Sequence, residues 1–269
     1  MKNFALVGKG IQKSFSPSIH SFCFENLSIE ACYHIIDIES SAYIPVVVDQ
    51  LKSGDLNGIN ITAPYKKDFI SHLDYLNPRA ENIGSINCIN TNNGKLIGNN
   101  TDWFGFGKSI SAFRAFDNVA IIGAGGVVSA IVYYIETRIG CPIHIIARDL
   151  NKISHFKADN ISINDINDFN LNISNSMIIN ALPSNQRINW DYVIGNIDSR
   201  PMFAVDLNYH LKATEFLNYF NSNVKIKNGL DMLIHQALMS IDIWFNENLS
   251  TTINFKNLKD KISARYYDK

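Results

Sequence analysis

Five polar groupings stand out in the N-terminal part of the chain. They are Ser14-Phe15-Ser16-Pro17, Asn60-Ile61-Thr62-Ala63-Pro64-Tyr65-Lys66, Gly84-Ser85-Ile86-Asn87, Asn99-Asn100-Thr101-Asp102, and the paired glycines Gly105 and Gly107. Each polar group falls near the end of a strand-like run or the start of a helix-like one. In open α/β sheets, ligands sit outside the carboxyl ends of the strands. Hydroxyls, amides, an ammonium and a carboxylate placed there can converge on one polyhydroxylated acid. Taken singly, the same residues have plainer readings. Ser14 and Ser16 can cap a helix, and Asn60 and Thr62 can satisfy turn backbone groups. Asn87 can pair with a loop carbonyl, and Lys66 with Asp102 can be a surface ion pair of little energetic consequence.

A second feature is the run Gly123-Ala124-Gly125-Gly126-Val127-Val128-Ser129-Ala130, which follows the apolar Val119-Ala120-Ile121-Ile122 and opens a helix-like segment. Glycines let a backbone turn tightly and come close to a pyrophosphate, which the free N–H groups and positive end of the helix then hold. The third glycine position of that fingerprint is Val128, whose bulk loosens helix–strand packing without excluding a phosphate. At the end of the next strand, NAD sites usually place an acidic residue. Here the position is Ala147, followed by Arg148 and then Lys152. Two cations without a carboxylate favour the 2′-phosphate of NADP. Asp149 opposes it, and NAD remains possible.

The elements that must position these groups alternate. Strands are expected at Phe4–Val7, Cys32–Ile36 and Leu56–Ile61, and helices at Ser16–Asn26 and Ser41–Leu51, the first with Ser16 as N-cap and Pro17 at N1. The Val46-Val47-Val48 run weakens the second helix. Pro64 starts a short helix. Ile86–Asn90 and Lys95–Ile97 flank Asn92-Asn93-Gly94, a hairpin signal. Asp102–Phe116 has helical spacing and connects to a second unit. There, strands at Val119–Ile122, Ile143–Ala147, Met177–Ile179 and Phe203–Val205 surround a helix at Val127–Arg138. A long amphipathic helix covers Leu230–Phe245, and the tail to Lys269 adds another. This alternation predicts a mostly parallel α/β sheet with some antiparallel edge.

Composition narrows the class. The 269 residues suit two domains at roughly 100–200 residues each. With 46% hydrophobic residues there is material for ordinary cores, which excludes a disordered or collagen-like chain. The 24 Lys+Arg against 25 Asp+Glu give no electrostatic reason to expect nucleic acid or an anionic membrane as partner. Cys23, Cys32, Cys88 and Cys141 lack metal spacing, so no metal is expected, and they read as reduced thiols of a cytoplasmic protein. The N-terminal apolar run is too short for a signal peptide, and Val119–Ile135, split by glycines, is short of a membrane span.

Read together, the groupings resemble the shikimate dehydrogenase family over nearly the whole chain. The family's S-x-S-P-x-x-H is matched by Ser14, Ser16, Pro17 and His20; N-x-T-x-P-x-K by Asn60, Thr62, Pro64 and Lys66; I-G-A-x-N by Ile83, Gly84, Ser85 and Asn87. G-x-N-T-D-x-x-G-F is matched by Gly98, Asn100, Thr101, Asp102, Gly105 and Phe106. The glycine turn follows, then Arg148 and Lys152 of an N-R-T-x-x-[KR] segment, then Asp206 and Tyr209 of D-x-x-Y. The run Asn228–Ala237 matches the last motif almost throughout.

The resemblance implies reversible NADPH-dependent reduction of 3-dehydroshikimate to shikimate, in the shikimate pathway of aromatic amino acid biosynthesis. It assigns Lys66 and Asp102 as the catalytic pair. Ser14 and Ser16 would take the substrate carboxylate with help from Tyr209; Thr62, Asn87 and Gln236 would join the pair on the ring oxygens. Gly229 would join Gly123, Ala124, Gly125, Gly126, Arg148 and Lys152 at the cofactor. The implied architecture is two α/β domains. A substrate domain with a mostly parallel mixed sheet takes residues 1–101 plus 236–269. A Rossmann-like NADP-binding domain takes 102–235, with an active-site cleft between the two. A monomer or homodimer is expected. Departures are Lys13 for His, Ala147 for Asn, Asp149 for Thr, Leu211 for Pro, and Ala181-Leu182-Pro183-Ser184-Asn185 for A-T-P-x-G. They bear on cofactor preference and rate more than on substrate class. Two alternatives remain: a quinate/shikimate dehydrogenase using NAD(P), slightly favoured by Asp149, and a catalytically weak nucleotide-binding paralogue, which the intact Lys66–Asp102 pair opposes.

Overall fold

The computed structural model describes residues 1–113, 116–199, 201–220 and 222–267. The chain divides into one unit of Met1–Phe106 with Leu233–Lys269 and another of Gly107–Met232. Both divisions fall inside helices, whereas the sequence reading put the first at the polar motif before a helix and the second a few residues further along.

In the first unit the elements run β1 (Lys2–Gly8), α1 (Ser16–Asn26), β2 (Ala31–Asp37), α2 (Ile44–Ser53), β3 (Gly58–Ile61), β4 (Tyr75–Leu76), α3 (Pro78–Ile83), β5 (Cys88–Asn92), β6 (Lys95–Asn99) and α4 (Asp102–Ser109). Among the described residues its six strands form one sheet in the order β2-β1-β3-β5-β6-β4. β1 pairs in parallel with both β2 and β3, while β5 runs antiparallel to β3 and β6. The hairpin register sets Cys88 opposite Asn99, and the turn residues Asn93 and Gly94 both have positive φ, 50° and 75°, as a two-residue turn matched to strand twist requires.

The second unit holds β7 (Asn118–Ile122), α5 (Gly126–Arg138), β8 (Ile143–Ala147), β9 (Ile161–Asp165), β10 (Leu171–Ile173), β11 (Ser176–Asn180), α6 (Trp190–Gly195), β12 (Ile197–Ser199), β13 (Phe203–Asp206), α7 (Glu215–Asn218) and β14 (Lys225–Lys227). Six of these strands make an all-parallel sheet in the order β14-β13-β11-β7-β8-β9, and β10 pairs in parallel with β12. The strands read as continuous apolar runs because a parallel sheet is covered on both faces; Val119, Ile121, Ile143, Ile145 and Ile179 are fully buried. The chain then continues through α8 (Leu230–Phe245) to α9 (Phe255–Tyr267). Among the described residues no helix is long and apolar enough to cross a membrane.

Several local expectations shift. Ser16 is the first residue of α1, and Phe15 holds the cap position with no side-chain cap bond; the Ser16 hydroxyl accepts from Ser14 Oγ and the Ser16 N–H donates to the same oxygen, both at 3.2 Å. Pro64 lies in a turn, and the helical residues after it, Asp68–His72, form a 3-10 turn. The Val46–Val48 run is helical after all. Ile44, Val47, Val48 and Leu51 are buried on one face, and that i, i+3, i+4, i+7 stripe outweighs weak β-branched propensity. The helix expected over Asp102–Phe116 ends at Ser109; residues 114–115, like 268–269 of the tail, lie outside the described residues. Of the four cysteines, Cys32 is only half-buried, while burial pushes the Cys23 and Cys88 thiols up to about 12.

His20, from the S-x-S-P-x-x-H motif, is wholly buried against Tyr33, with ring centroids 4.0 Å apart, and beside Trp244. Burial drives its pKa down to about 3, against a smaller upward pull from Asn60. The unfolded chain therefore binds a proton near pH 6.5 that the folded chain excludes, and stability falls as pH drops below that value. Urea unfolding at pH 7 and pH 5 should show the wild type losing about 2 kcal/mol more than a His20→Gln variant. Equal losses in both proteins would contradict a buried neutral imidazole.

Candidate functional site

Lys66 lies in the turn after β3, and its backbone carbonyl accepts from the Ile86 N–H at 3.0 Å. Asp102 opens α4, with its N–H donating to Asn100 Oδ1 at 3.0 Å. The Lys66 ammonium is bonded directly to Asp102 Oδ2, and the side chains are only 14% and 8% exposed. The pair is thus no surface ornament: a charge pair this far from water needs its remaining bonds made. Asn87 makes one of them, donating from Nδ2 to Asp102 Oδ1 and to Thr101 Oγ1, both at 2.9 Å, with Gln236 Oε1 at 3.3 Å. Its Oδ1 accepts from the Thr101 N–H at 2.6 Å.

Behind this layer lies another. Asn60 donates to Ser240 Oγ at 2.8 Å and to the Asn87 carbonyl at 3.1 Å, and accepts from the Tyr33 hydroxyl at 2.9 Å. Ser240 donates to the Gln236 carbonyl, one helical turn back, at 3.0 Å. The structure therefore joins four expected residues, Lys66, Asp102, Asn87 and Gln236, in one hydrogen-bonded cluster. Ser14 and Ser16 form their own pair, Oγ to Oγ at 3.2 Å. Half-buried Thr62 is anchored at the end of β3, its N–H donating to the Val7 carbonyl at 2.9 Å.

Thr101, Asn60 and Ser240 are contributors that the sequence reading did not assign. The first two sat in recognised motifs. Ser240 lies four residues after Gln236, so helical spacing alone puts them on one face.

The second unit carries the remaining expected residues. The glycine turn joins β7 to α5. Gly123 has φ +136°, and a Cβ there would come within 3.0 Å of the Ala181 backbone; Gly125, at the cap position of α5, has nothing within 4 Å of where a Cβ would stand. Gly123 is thus required by the fold, whereas Gly125 leaves open space before the N–H groups of a 13-residue helix, a cradle that fits a pyrophosphate. Ala124 lies between them, Gly126 opens the helix, and Val128 is absorbed into the core at 1% exposure.

Gly229 donates its N–H to the Asn208 carbonyl at 3.0 Å, and a Cβ would sit 2.0 Å from the Leu207 oxygen. Arg148 donates to Gln186 Oε1 at 2.5 Å, and Lys152 stands 3.5 Å from the Asp149 carboxylate. Tyr209 lies in the loop after β13. Buried Asp206 organises that loop, accepting from the Asn208 N–H at 3.0 Å and the Thr214 hydroxyl at 2.5 Å.

A chain that carries both a mixed sheet with a buried lysine–aspartate pair and a parallel sheet with a dinucleotide-type glycine turn has the make-up of a nucleotide-dependent α/β protein. Residues 6–89 match the model of the shikimate dehydrogenase substrate binding domain. The shikimate dehydrogenase (NADP(+)) of Clostridium beijerinckii is 30% identical over 255 residues, covering 91% of this chain and 92% of that protein. Among solved structures, shikimate dehydrogenase 1 from Peptoclostridium difficile aligns with a TM-score of 0.81 and 28% identity over 99% of both chains. A shikimate dehydrogenase solved in complex with NADP+ aligns with a TM-score of 0.81 and 26% identity over 99% of this chain and 96% of that one. The chain belongs to the shikimate dehydrogenase family.

The glycines separate fold from ligand. Gly125→Ala should cost at most about 1 kcal/mol of stability, as a cap substitution, yet weaken dinucleotide binding in a fluorescence titration. Gly229→Ala, whose Cβ meets backbone, should lower the melting temperature by several degrees or more. Unchanged dinucleotide affinity in a stably folded Gly125→Ala protein would remove the cradle assignment.

Proposed function

We propose that this protein is an NADP-dependent shikimate dehydrogenase that interconverts 3-dehydroshikimate and shikimate. The observation that carries the reading is the buried Lys66–Asp102 pair, locked by Asn87, in a chain of this family. A bound NADPH supplies the hydride for the ketone carbon. The chain's own task is proton and charge. Lys66 Nζ gives a proton to the ketone oxygen as that oxygen gains electrons, and takes one back in the reverse direction. Asp102 holds the ammonium in place and balances its charge; Asn87 fixes the other carboxylate oxygen, so the pair does not reorient during the transfer. Thr62 and Gln236 supply further ring contacts, and the Ser14–Ser16 pair holds the substrate carboxylate at the entry to α1.

Cofactor choice rests on Arg148, whose guanidinium forks onto a 2′-phosphate. Asp149 is less of an obstacle than its sequence position suggests, because Lys152 stands beside it. Free cysteines fit a cytoplasmic location. The proposed assembly is a monomer or homodimer, which sedimentation distinguishes.

The test of the chemistry is turnover with shikimate and NADP+. Lys66→Ala and Asp102→Asn should each lower kcat by about 10²–10⁴-fold in protein that is still folded at the assay temperature, although loss of the buried pair lowers its melting temperature. Near-normal turnover in Lys66→Ala would sink the assignment.

The test of the cofactor is the full matrix of NADP+ and NAD+ against shikimate and quinate. Arg148→Ala should lose a charge-assisted bond of about 1.5–3 kcal/mol, or roughly ten- to hundredfold in NADP+ efficiency, with NAD+ use unchanged. Equal loss with both cofactors would mean that Arg148 does not read the 2′-phosphate.

A further inference from the structure

The stretch from Lys9 to Phe15, between β1 and α1, has no regular secondary structure, yet the proposed function requires it to present two hydroxyls accurately. The side chain that holds it is Asp37, the last residue of β2, paired in register with Gly8 at the end of β1. Its carboxylate accepts from the Gly10 N–H at 2.8 Å, from the Ile11 N–H at 3.2 Å and from Gln12 Nε2 at 3.3 Å.

From there a continuous path leads to the serines. The Ile11 carbonyl accepts from the Ser14 N–H at 3.0 Å, and Ser14 Oγ accepts from the Ser16 N–H and donates to Ser16 Oγ, both at 3.2 Å. The anchor itself is rigid. The adjacent Ile38 donates its N–H to the Gly8 carbonyl at 2.9 Å and accepts from the buried Tyr65 hydroxyl at 2.8 Å, and Tyr65 is the residue next to Lys66.

We propose that Asp37 is a positioning residue for substrate binding, acting through the Gly10 and Ile11 backbone and the Gln12 side chain to hold Ser14 and Ser16 where they meet the substrate carboxylate. The inference rests on the reading of those serines as carboxylate ligands. Asp37 itself does not touch the substrate. A carboxylate suits the task because one group can take several N–H bonds, each strengthened by its charge.

Its charge gives the test a sign. An anion acting on the anionic substrate directly would repel it, so removing the charge would improve binding; an anion acting as a staple makes its loss worsen binding. Asp37→Ala should raise the KM for shikimate about five- to tenfold, with kcat and the KM for NADP+ within about twofold of wild type. Asp37→Asn keeps an acceptor oxygen and should recover most of the loss. In a Ser14→Ala/Ser16→Ala background, Asp37→Ala should add almost nothing, because effects routed through the same contact do not add.

If the double-serine variant raises the shikimate KM while Asp37→Ala leaves it unchanged or lowers it, the proposal is overturned and the carboxylate reading stands. If the double-serine variant itself leaves KM unchanged, the carboxylate reading falls and the proposal with it. A KM rise of equal size for NADP+ would mark Asp37 as a general stabiliser and overturn it too.

Discussion

The carboxamide of Asn87 is the group on which the first unit's polar interior depends. Two N–H bonds and one carbonyl oxygen engage Asp102, Thr101 and Gln236, and the Asn87 backbone carbonyl accepts from Asn60. A carboxylate and an ammonium withdrawn from water are costly unless each is bonded, and breaking such a pair costs about 3–5 kcal/mol. The arrangement is therefore demanding of backbone register. Asn87 precedes β5 and its N–H donates to the Asn99 carbonyl, so the β5–β6 hairpin brings Asn87 beside Asp102. A one-residue slip would turn every side chain of the hairpin to the other face. The Asn93–Gly94 turn thus helps set the geometry of the Lys66–Asp102 pair.

The second unit meets a different constraint. Its sheet is parallel and covered on both faces, and what it offers a ligand is backbone at the carboxyl ends of its strands. Space there is the scarce quantity. Ala181 crowds Gly123 while Gly125 stays open, so neighbouring glycines serve opposite ends, one the packing and one the approach of a ligand. Ala147 follows the same logic. It is 1% exposed at the end of β8, whereas the next residue, Arg148, is exposed.

Much of this was legible in the residues. Strand runs, the glycine turn and the hairpin signal follow from local chemistry, and the i, i+3, i+4, i+7 stripe was present in α2 despite its valines. What escaped depends on partners distant in sequence. Ser240 belongs to no recognised motif, and its link to Asn60 spans 180 positions. Asp37 ends an unremarkable strand, and only the pairing of β1 with β2 brings it to the loop it holds. The compact units divide within α4 and α8, where composition does not change.

Most positions where this chain departs from the family pattern lie at the surface, with Ala147 a buried exception. Lys13, Asn185 and Leu211 are exposed, and the exposed Asp149 carboxylate is matched by Lys152. Exposed loop positions tolerate exchange at small energetic cost. The buried polar residues around Asp102 do not, since each removal strands a partner without water. Substitution can therefore drift at exposed loop positions while the buried polar cluster around Asp102 stays fixed. Asp37 lies between these regimes. It is only half-buried, and its bonds go to Gly10, Ile11 and Gln12 rather than to the lysine–aspartate pair, so it can change together with that loop without disturbing the pair.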